Sequence, residues 1–224
     1  MTRLSIVMPV LDEAAGITQA LQALAPLRAA GHELIVVDGG SSDGTAALAM
    51  PGADQIVTSP RGRARQMNAG ALRAQGDVLL FLHADTQLPE GAAQAVQRAL
   101  AGGRRWGRFD VRISGSSGWL RVIAALMNTR SRITGIATGD QALFVERRLF
   151  NESGGYADQP LMEDIELSRR LRAVGLPACL RERVLTSGRR WESRGVWRTI
   201  WLMWCLRWRY WRGASPEALA RAYK

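Results

Sequence analysis

The sequence predicts one α/β domain built on a mostly parallel β-sheet with helices on both faces. In the first half of the chain, four short apolar runs alternate with stretches of helical spacing, and turn or acidic residues follow each run. Short runs that are apolar throughout are typical of strands buried on both faces. Strands joined by helices form parallel sheets, because the connecting helices cover both faces. A chain of 224 residues suffices for one sizeable core and is too short for two ordinary domains with a linker.

The predicted elements follow a regular order only in the first half of the chain. Strands are predicted at residues 4–10, 33–37, 55–58 and 78–82, and helices at residues 17–30, 45–50, 63–74 and 90–100. Beyond residue 100 we predict strands at 106–113 and 141–146 and helices at 119–127, 163–174 and 196–210. Ligands of such sheets bind beyond the carboxyl ends of the strands. The polar residues that directly follow each predicted strand are therefore candidates for a functional site.

The apolar start of the chain is predicted to be the first strand rather than a secretory signal. Pro9 interrupts the run, Asp12 and Glu13 end it, and no small-residue cleavage site follows. The two cysteines, Cys179 and Cys205, are too few for a disulfide framework. We therefore expect a reducing, cytoplasmic environment.

The C-terminal end concentrates both positive charge and tryptophan. Residues 181–224 hold 11 basic and 3 acidic side chains, and the whole chain has a net charge of +10, so this end favours anionic partners. Five tryptophans recur at helical intervals of four and three residues and form one face, called here the Trp face. They are Trp197, Trp201, Trp204, Trp208 and Trp211.

Two alternatives for the Trp face stay open, and a third is disfavoured. The face could pack in the core or against a second copy of the chain, or it could lie on the inner surface of the plasma membrane with arginines on anionic lipid. Nucleic acid is not expected as a partner, because no known binding module matches the sequence. The longest uncharged apolar run, residues 200–206, falls far below the roughly 20 residues that span a bilayer.

Acidic residues and glycines follow the first two predicted strands. The sequence contains no Gly-x-Gly-x-x-Gly after the first strand and no Gly-Lys-Ser/Thr, which disfavours a dinucleotide enzyme or a P-loop NTPase. Instead, Glu13 follows the first strand and Asp38 the second, with glycines at 39 and 40. Carboxylates there can accept hydrogen bonds from a base or a ribose, and glycines let the backbone approach a ligand closely. Asp43 is as well explained by a turn leading into a helix.

The predicted helix at 63–74 begins in an arginine-rich segment. Guanidinium groups suit phosphate oxygens, and a helix N-terminus adds partial positive charge. Arg65 and Asn68 share one helix face and are favoured as ligand contacts. Arg61 and Arg63 are equally consistent with a solvated basic surface.

Two further acidic positions could carry chemistry. Asp85 ends the fourth strand segment, where one carboxylate suits Mg²⁺ or Mn²⁺ completed by diphosphate oxygens and water. His83 is better explained as a residue that orients its neighbour than as a metal ligand. Glu163 and Asp164 open a predicted helix, where acids are ordinary stabilising charges. A carboxylate held there and facing a metal could also serve as a general base.

Taken together, these residues resemble family 2 glycosyltransferases with the GT-A fold, most closely the small stand-alone bacterial members. The matching segments occur in the family's order and extend over roughly residues 3–191. They are residues 5–13, 36–45, 65–68, 83–85, 139–141 and 162–164. The resemblance implies a glycosyltransferase domain at 1–191, followed by a basic, Trp-rich helical tail at 192–224.

The resemblance also implies roles for individual residues. Pro9, Glu13 and Asp38 would hold the nucleoside of a nucleotide-diphosphate sugar, with Arg65 and Asn68 beside it. Asp85 stands at the last position of the family's Asp-x-Asp metal motif, for Mg²⁺ or Mn²⁺. Asp164 matches the general base of inverting transfer, with Glu163 as its orienting neighbour. On the acceptor and diphosphate side, the matching residues are Gly139, Asp140, Gln141, Arg190 and Trp191.

Two departures from the family pattern narrow the expected activity. His83 replaces the first aspartate of the metal motif, so the metal would depend on the donor. Ser187 stands where processive members have glutamine in Gln-x-x-Arg-Trp. We therefore expect a single transfer to a small or lipid-linked acceptor. The rival hypotheses are a nucleotidyltransferase, disfavoured because no Gly-rich basic loop follows the first strand, and a non-catalytic sugar-nucleotide-binding or membrane-associated protein.

Overall fold

The computed structural model describes residues 2–189, 191 and 195–223, which form one eight-stranded sheet flanked by helices. The strands are β1 Leu4–Val10, β2 Glu33–Asp38, β3 Gln55–Thr58, β4 Val78–Phe81, β5 Thr86–Gln87, β6 Trp106–Ser114, β7 Phe144–Glu146 and β8 Ala178–Ser187. The helices are α1 Ile17–Ala29, α2 Thr45–Ala49, α3 Arg63–Arg73, α4 Ala92–Ala101, α5 Trp119–Thr134, α6 Arg147–Glu152, α7 Glu163–Val174, α8 Val196–Trp211 and α9 Pro216–Tyr223.

The N-terminal half of the sheet is parallel. β1 lies between β2 and β4, and β3 extends the sheet beyond β2. Every residue of β1, β2 and β4 is buried, because helices cover both faces. On one face α3 lies so close to β1 that a side chain at Gly70 would come within 2.4 Å of Val7. The parallel register places Val10 opposite Asp38, so the loops after β1 and β2 meet at one edge.

The second half of the sheet mixes strand directions. The sheet order is β3-β2-β1-β4-β7-β6-β8-β5, with β7 antiparallel to β4 and β6, β8 parallel to β6, and β5 antiparallel to β8. Four of the seven strand pairings are parallel, which confirms the predicted α/β class with a mostly parallel sheet.

Several local predictions were wrong beyond residue 85. The predicted strand at 141–146 begins only at Phe144, because Gly139–Gln141 forms a 3₁₀ turn. The predicted helix at 119–127 continues to Thr134, and β5, β8, α6 and α9 were not predicted.

The C-terminal helices pack against the start of α7. Leu206 of α8 and Leu219 of α9 form a buried cluster with Met162, and Val196 and Ile200 contact the main core. The Trp face points away from this packing, since its five side chains are 59–81 % exposed. Burial in the core of the chain was therefore the wrong alternative for these indoles. Within the residues described, no helix combines the length and the apolar character needed to cross a membrane.

Candidate active site

One cavity of about 620 Å³ collects polar residues from four loops and walls from two helices. Its charged and loop residues are Arg63, His83, Asp85, Gly139, Asp140, Glu163 and Asp164. Its helical walls include Ile123, Leu126, Met127 and Arg130 of α5 and Ile200, Met203, Trp204 and Arg207 of α8. The cavity therefore brings together the residues predicted for the metal, the general base and the acceptor loop.

Asp164 is held in place by backbone hydrogen bonds at the start of α7. The Gly139 N–H donates to Oδ2 at 2.8 Å, and the Ile165 N–H donates to Oδ1 at 2.7 Å. Burial raises the pKa of Asp164 even though these two hydrogen bonds act to lower it. The preceding turn has a left-handed backbone conformation at Met162 (φ 66°). This conformation is unfavourable for residues other than glycine and is enriched at functional sites.

Glu163 lies beside Asp164 and is 7 % exposed. Burial, followed by the negative charge of Asp164, raises the pKa of Glu163 to about 7. Two neighbouring carboxyls with raised pKa values titrate as a pair and retain a proton nearer to neutral pH than exposed acids do. The pair therefore has the proton affinity expected of a base that works near neutral pH.

The raised pKa of Glu163 makes a testable prediction about stability. Below about pH 4.5 the residue is protonated in both states, whereas at higher pH folding opposes its ionisation, so the folded state loses stability as pH rises to about 7. We expect Glu163→Gln to be more stable than the wild type above pH 7 by at most about 3 kcal/mol, and equally stable near pH 4. Urea unfolding at several pH values measures this difference. The exposed Glu90→Gln is the control, and a pH-independent difference for Glu163→Gln would refute the prediction.

His83 packs against the loop that holds Asp164. Its Nδ1 atom lies 3.6 Å from an oxygen of Asp140, and its side chain is only 12 % exposed. A side chain at Gly139 would come within 2.5 Å of the imidazole ring, so this glycine allows the close contact. These contacts show His83 packed at the end of the strand, and an orienting role for it stays a prediction.

Asp85 lies in the loop between β4 and β5 and is exposed. Its carbonyl oxygen accepts a hydrogen bond from the Ser187 N–H at 3.1 Å, which fixes the loop to the end of β8. Glu13 interacts electrostatically with Asp85. Burial raises the pKa of Glu13, and the negative charge of Asp85 raises it further.

The carboxylates of Asp85 and Glu13 are of the type that binds a divalent cation whose coordination shell is completed by a bound ligand. The described residues include no cluster of three or more His, Cys, Asp or Glu side chains that could hold a metal alone. Mg²⁺ and Mn²⁺ commonly use one or two protein carboxylates, with phosphate oxygens and water as the other ligands. Asp85 supplies one such carboxylate at the cavity.

The loops after β1 and β2 form a hydrogen-bonded unit at the sheet edge. The Asp38 carboxylate accepts hydrogen bonds from Gly40 N–H at 3.2 Å and Ser41 N–H at 3.1 Å, and also from the Ser41 hydroxyl. Glu13 N–H donates to the Thr45 hydroxyl at 2.8 Å. Pro9 is buried within β1 opposite Val37. Nucleoside binding by Pro9, Glu13 and Asp38 stays a prediction, and Asp38 also shapes its own loop.

Of the polar residues of α3, the cavity is lined by Arg63 rather than by Arg65 or Asn68, which the sequence favours as ligand contacts. Arg65 is half exposed and pairs with Asp158 at 2.8 Å. The Asn68 amide donates to the Tyr156 carbonyl at 2.8 Å and accepts from the Tyr156 N–H at 2.9 Å, so it supports the turn before α7. Arg63, which was left uncertain, lines the cavity. A ligand contact for Arg65 stays a prediction.

One predicted acceptor residue lies outside the cavity lining, and another lies outside the described residues. Gln141 is fully buried, and its side-chain oxygen accepts a hydrogen bond from Thr138 N–H at 3.2 Å within the 3₁₀ turn. An acceptor contact for Gln141 stays a prediction. Trp191 is half-buried and lines the cavity, whereas Arg190 is not among the described residues.

The structure also adds residues that the sequence did not indicate. Arg130 and Arg207 lie on α5 and α8, outside every motif noted above, and both line the cavity. The only available signal was their helical position, which many other arginines in this chain share.

Comparison with known proteins identifies a matching sequence family and several solved structures with a similar fold. The family model for glycosyl transferase family 2 matches residues 5–153, more than half of the chain. No curated protein matches the chain. Among solved structures, the mannosyltransferase PcManGT from Pyrobaculum calidifontis, in complex with GDP-Man and Mn²⁺, has a TM-score of 0.70 at 20 % identity over 99 % of this chain and 69 % of that chain.

Two phosphoglycerate glycosyltransferases are also similar. Glucosyl-3-phosphoglycerate synthase from Mycobacterium tuberculosis, in complex with Mn²⁺, UDP and phosphoglyceric acid, has a TM-score of 0.61 at 19 % identity over 81 % of this chain and 68 % of that one. Mannosyl-3-phosphoglycerate synthase from Rubrobacter xylanophilus has a TM-score of 0.58 at 17 % identity over 83 % of this chain and 66 % of that one.

This chain spans about two thirds of the length of those three structures. At such low identities the likeness establishes the fold alone, and it confirms the predicted GT-A architecture. The family rests on the sequence match, which includes the loops after β1, β2 and β4 that carry Glu13, Asp38 and Asp85. The chain belongs to glycosyl transferase family 2.

Proposed function

We propose that this protein is a metal-dependent, inverting glycosyltransferase that moves a sugar from a nucleotide-diphosphate donor to an acceptor hydroxyl in a single, non-processive transfer. One observation carries the proposal: Asp85 and the Glu163–Asp164 pair line the same cavity. A carboxylate for a cation and a buried base are the two groups that such a transfer requires. Family membership supports the same activity.

The donor is assigned to the sheet edge beside Asp85. Glu13 and Asp38 are placed there by β1 and β2, and Arg63 adds positive charge near Glu13. The mannosyltransferase and the glucosyl-3-phosphoglycerate synthase described above were solved with GDP-Man or UDP and with Mn²⁺, which supports a nucleotide sugar and a divalent ion here. Asp85 would hold the cation, with Glu13 beside it. When bound, Mg²⁺ or Mn²⁺ would neutralise negative charge on the departing diphosphate.

Asp164 is proposed to accept the proton of the attacking hydroxyl. Its two backbone hydrogen bonds fix the carboxylate, so no reorientation is needed during the reaction. Burial raises its pKa, which strengthens it as a base. A base that deprotonates the acceptor hydroxyl allows it to displace the diphosphate directly, which inverts the anomeric carbon.

Thermal unfolding with nucleotide sugars tests the proposal. With Mn²⁺ or Mg²⁺ present, we expect one nucleoside diphosphate to raise Tm by roughly 5–10 °C at about 100 times its Kd. The same nucleotide without metal should give little shift, and the matching nucleotide sugar should be slowly hydrolysed. Absence of a metal-dependent shift with every nucleotide would contradict the proposal. Pyrophosphate release from a nucleoside triphosphate and a sugar phosphate would instead favour a nucleotidyltransferase.

The exposed Trp face supports a cytoplasmic protein that contacts the inner face of the plasma membrane, and hence a lipid-linked acceptor. Indoles favour the interface, and the exposed arginines of α8 would meet anionic lipid. Flotation with anionic vesicles should fall when Trp201 and Trp208 are both changed to serine. Unchanged flotation, or a dimer that these changes dissociate, would replace membrane contact with a homodimer interface.

A further inference from the structure

Two arginines in the cavity have buried nitrogen atoms without hydrogen-bond partners. They are Arg130 on α5, through Nε and Nη2, and Arg207 on α8, through Nε. Among the described residues, no other buried side-chain nitrogen or oxygen lacks a partner. Both residues line one cavity from two separate helices, and each carries at least one buried guanidinium nitrogen without a hydrogen-bond partner.

A buried guanidinium nitrogen without a hydrogen-bond partner is unfavourable, because arginine remains charged and that nitrogen has lost its hydration. The same region satisfies another buried arginine: Arg108 is fully buried and donates to Asp110, to the Ser131 hydroxyl at 3.0 Å and to the Asn128 carbonyl at 3.1 Å. Helix α5 therefore supplies hydrogen-bond acceptors to Arg108 but none to the buried nitrogens of Arg130, which lines the cavity.

Asp164 attracts Arg130 without satisfying it. The charge of Asp164 acts to raise the pKa of Arg130, and burial lowers that pKa by more. However, the hydrogen bonds of the Asp164 oxygens come from the N–H groups of Gly139 and Ile165. Arg130 and Asp164 line the same cavity, so one bound molecule could contact both side chains.

We propose that Arg130 and Arg207 bind an anionic group, a phosphate or a carboxylate, on the acceptor that delivers its hydroxyl to Asp164. This assignment rests on the proposed glycosyl transfer. Guanidinium groups match the geometry of phosphate and carboxylate oxygens and recognise them strongly in a dry site. They also offset the repulsion that Asp85, Asp140 and Glu163 would exert on an anionic acceptor.

Apolar side chains around the two arginines help to distinguish a lipid headgroup from a soluble anion as the ligand. Ile123, Met127, Ile200 and Met203 line the same cavity, so an apolar portion of the acceptor would have side chains to contact. A lipid headgroup and a soluble phosphorylated or carboxylated alcohol share the anionic group but differ in that apolar portion. Octyl phosphate, inorganic phosphate and octanol separate the two sources.

Calorimetric titration of these three probes tests the assignment. The titrations are done with and without a saturating nucleoside diphosphate and Mn²⁺, which occupy the donor phosphate positions. We expect octyl phosphate to bind far more tightly than octanol, and Arg130→Gln and Arg207→Gln each to weaken it roughly 10- to 100-fold. The matched controls are Arg121→Gln on α5 and Arg209→Gln on α8, both exposed and expected to bind normally. Inorganic phosphate binding as tightly as octyl phosphate would assign the anion to a soluble acceptor.

Equal affinity in the wild type and both cavity variants would overturn the assignment, as would binding that disappears whenever nucleotide is present. A stability measurement guards against misfolded variants: Arg130→Met should raise Tm of the free protein by roughly 2–4 °C, because an unpaired buried charge is removed. A lower Tm would argue that Arg130 is structural.

The metal-dependent nucleotide shift is measured on the same variants. If it is absent from the wild type, the glycosyltransferase proposal fails. If it persists in every variant while anion binding is unaffected, only the acceptor assignment fails.

Discussion

Changing Asp164 to asparagine is expected to reduce sugar transfer by roughly 10²- to 10⁴-fold, the usual contribution of a general base. Asparagine keeps the size of the side chain, and its one carbonyl oxygen can still accept a backbone hydrogen bond. It cannot accept the proton of the attacking hydroxyl. Nucleotide binding should be unchanged, because Asp38 and Asp85 lie in separate loops. Initial rates of transfer and the nucleotide-dependent Tm shift measure the two effects.

The pH profile distinguishes a base from a structural residue. In the wild type, kcat/KM should rise with pH, because the base acts only when unprotonated and burial raises the pKa of Asp164. Asp164→Asn should flatten this rise, and Glu90→Gln should leave it unchanged. Wild-type turnover in Asp164→Asn would refute the assignment, and equal loss of nucleotide binding would indicate a structural role.

Removing the Asp85 carboxylate is expected to have the second-largest effect. Asp85→Asn should lower transfer by roughly 10²- to 10³-fold, since a bound cation supplies several kcal/mol of charge stabilisation. The described residues near it offer no three-residue cluster to take over the metal, and His83 is packed against Gly139. We therefore expect the Mn²⁺-dependent part of the nucleotide Tm shift to disappear as well.

Metal titration provides the control for Asp85. If the variant only weakens the ion, high Mn²⁺ should restore part of the activity, and Asp164→Asn should show no such rescue. A variant with wild-type activity at low Mn²⁺ would show that Asp85 is not the metal carboxylate.

The sequence predicted the N-terminal half of the fold well, because those strands are apolar on both faces and alternate with helices along the chain. It missed β8, where Arg181, Glu182 and Arg183 interrupt the apolar pattern and pairing depends on β6, about 70 residues earlier along the chain. The β6–β8 register also shifts between Phe109 and Asp110, which no local pattern reveals.

The predicted site residues that end a strand or begin a helix line the cavity, whereas others are engaged by neighbouring groups. Asp85 and Asp164 line the cavity as expected. Gln141 matched the same motif as Gly139 and Asp140, yet the 3₁₀ turn uses its amide internally. Arg130 and Arg207 could not be found, because their burial is set by how α5 and α8 pack in three dimensions.

The packing of α8 and α9 against Met162 has a consequence for how such enzymes diversify. Glu13, Asp38 and Asp85 lie within the segment matched by the family model, whereas α8 and α9 lie beyond it. Mutations on the inner side of α8 would reshape one wall of the cavity without changing the loops that carry Glu13, Asp38 and Asp85. A lineage could thus inherit its sugar donor unchanged while its acceptor drifts, and grafting residues 195–223 from a relative would be a direct route to exchanging acceptors in the laboratory.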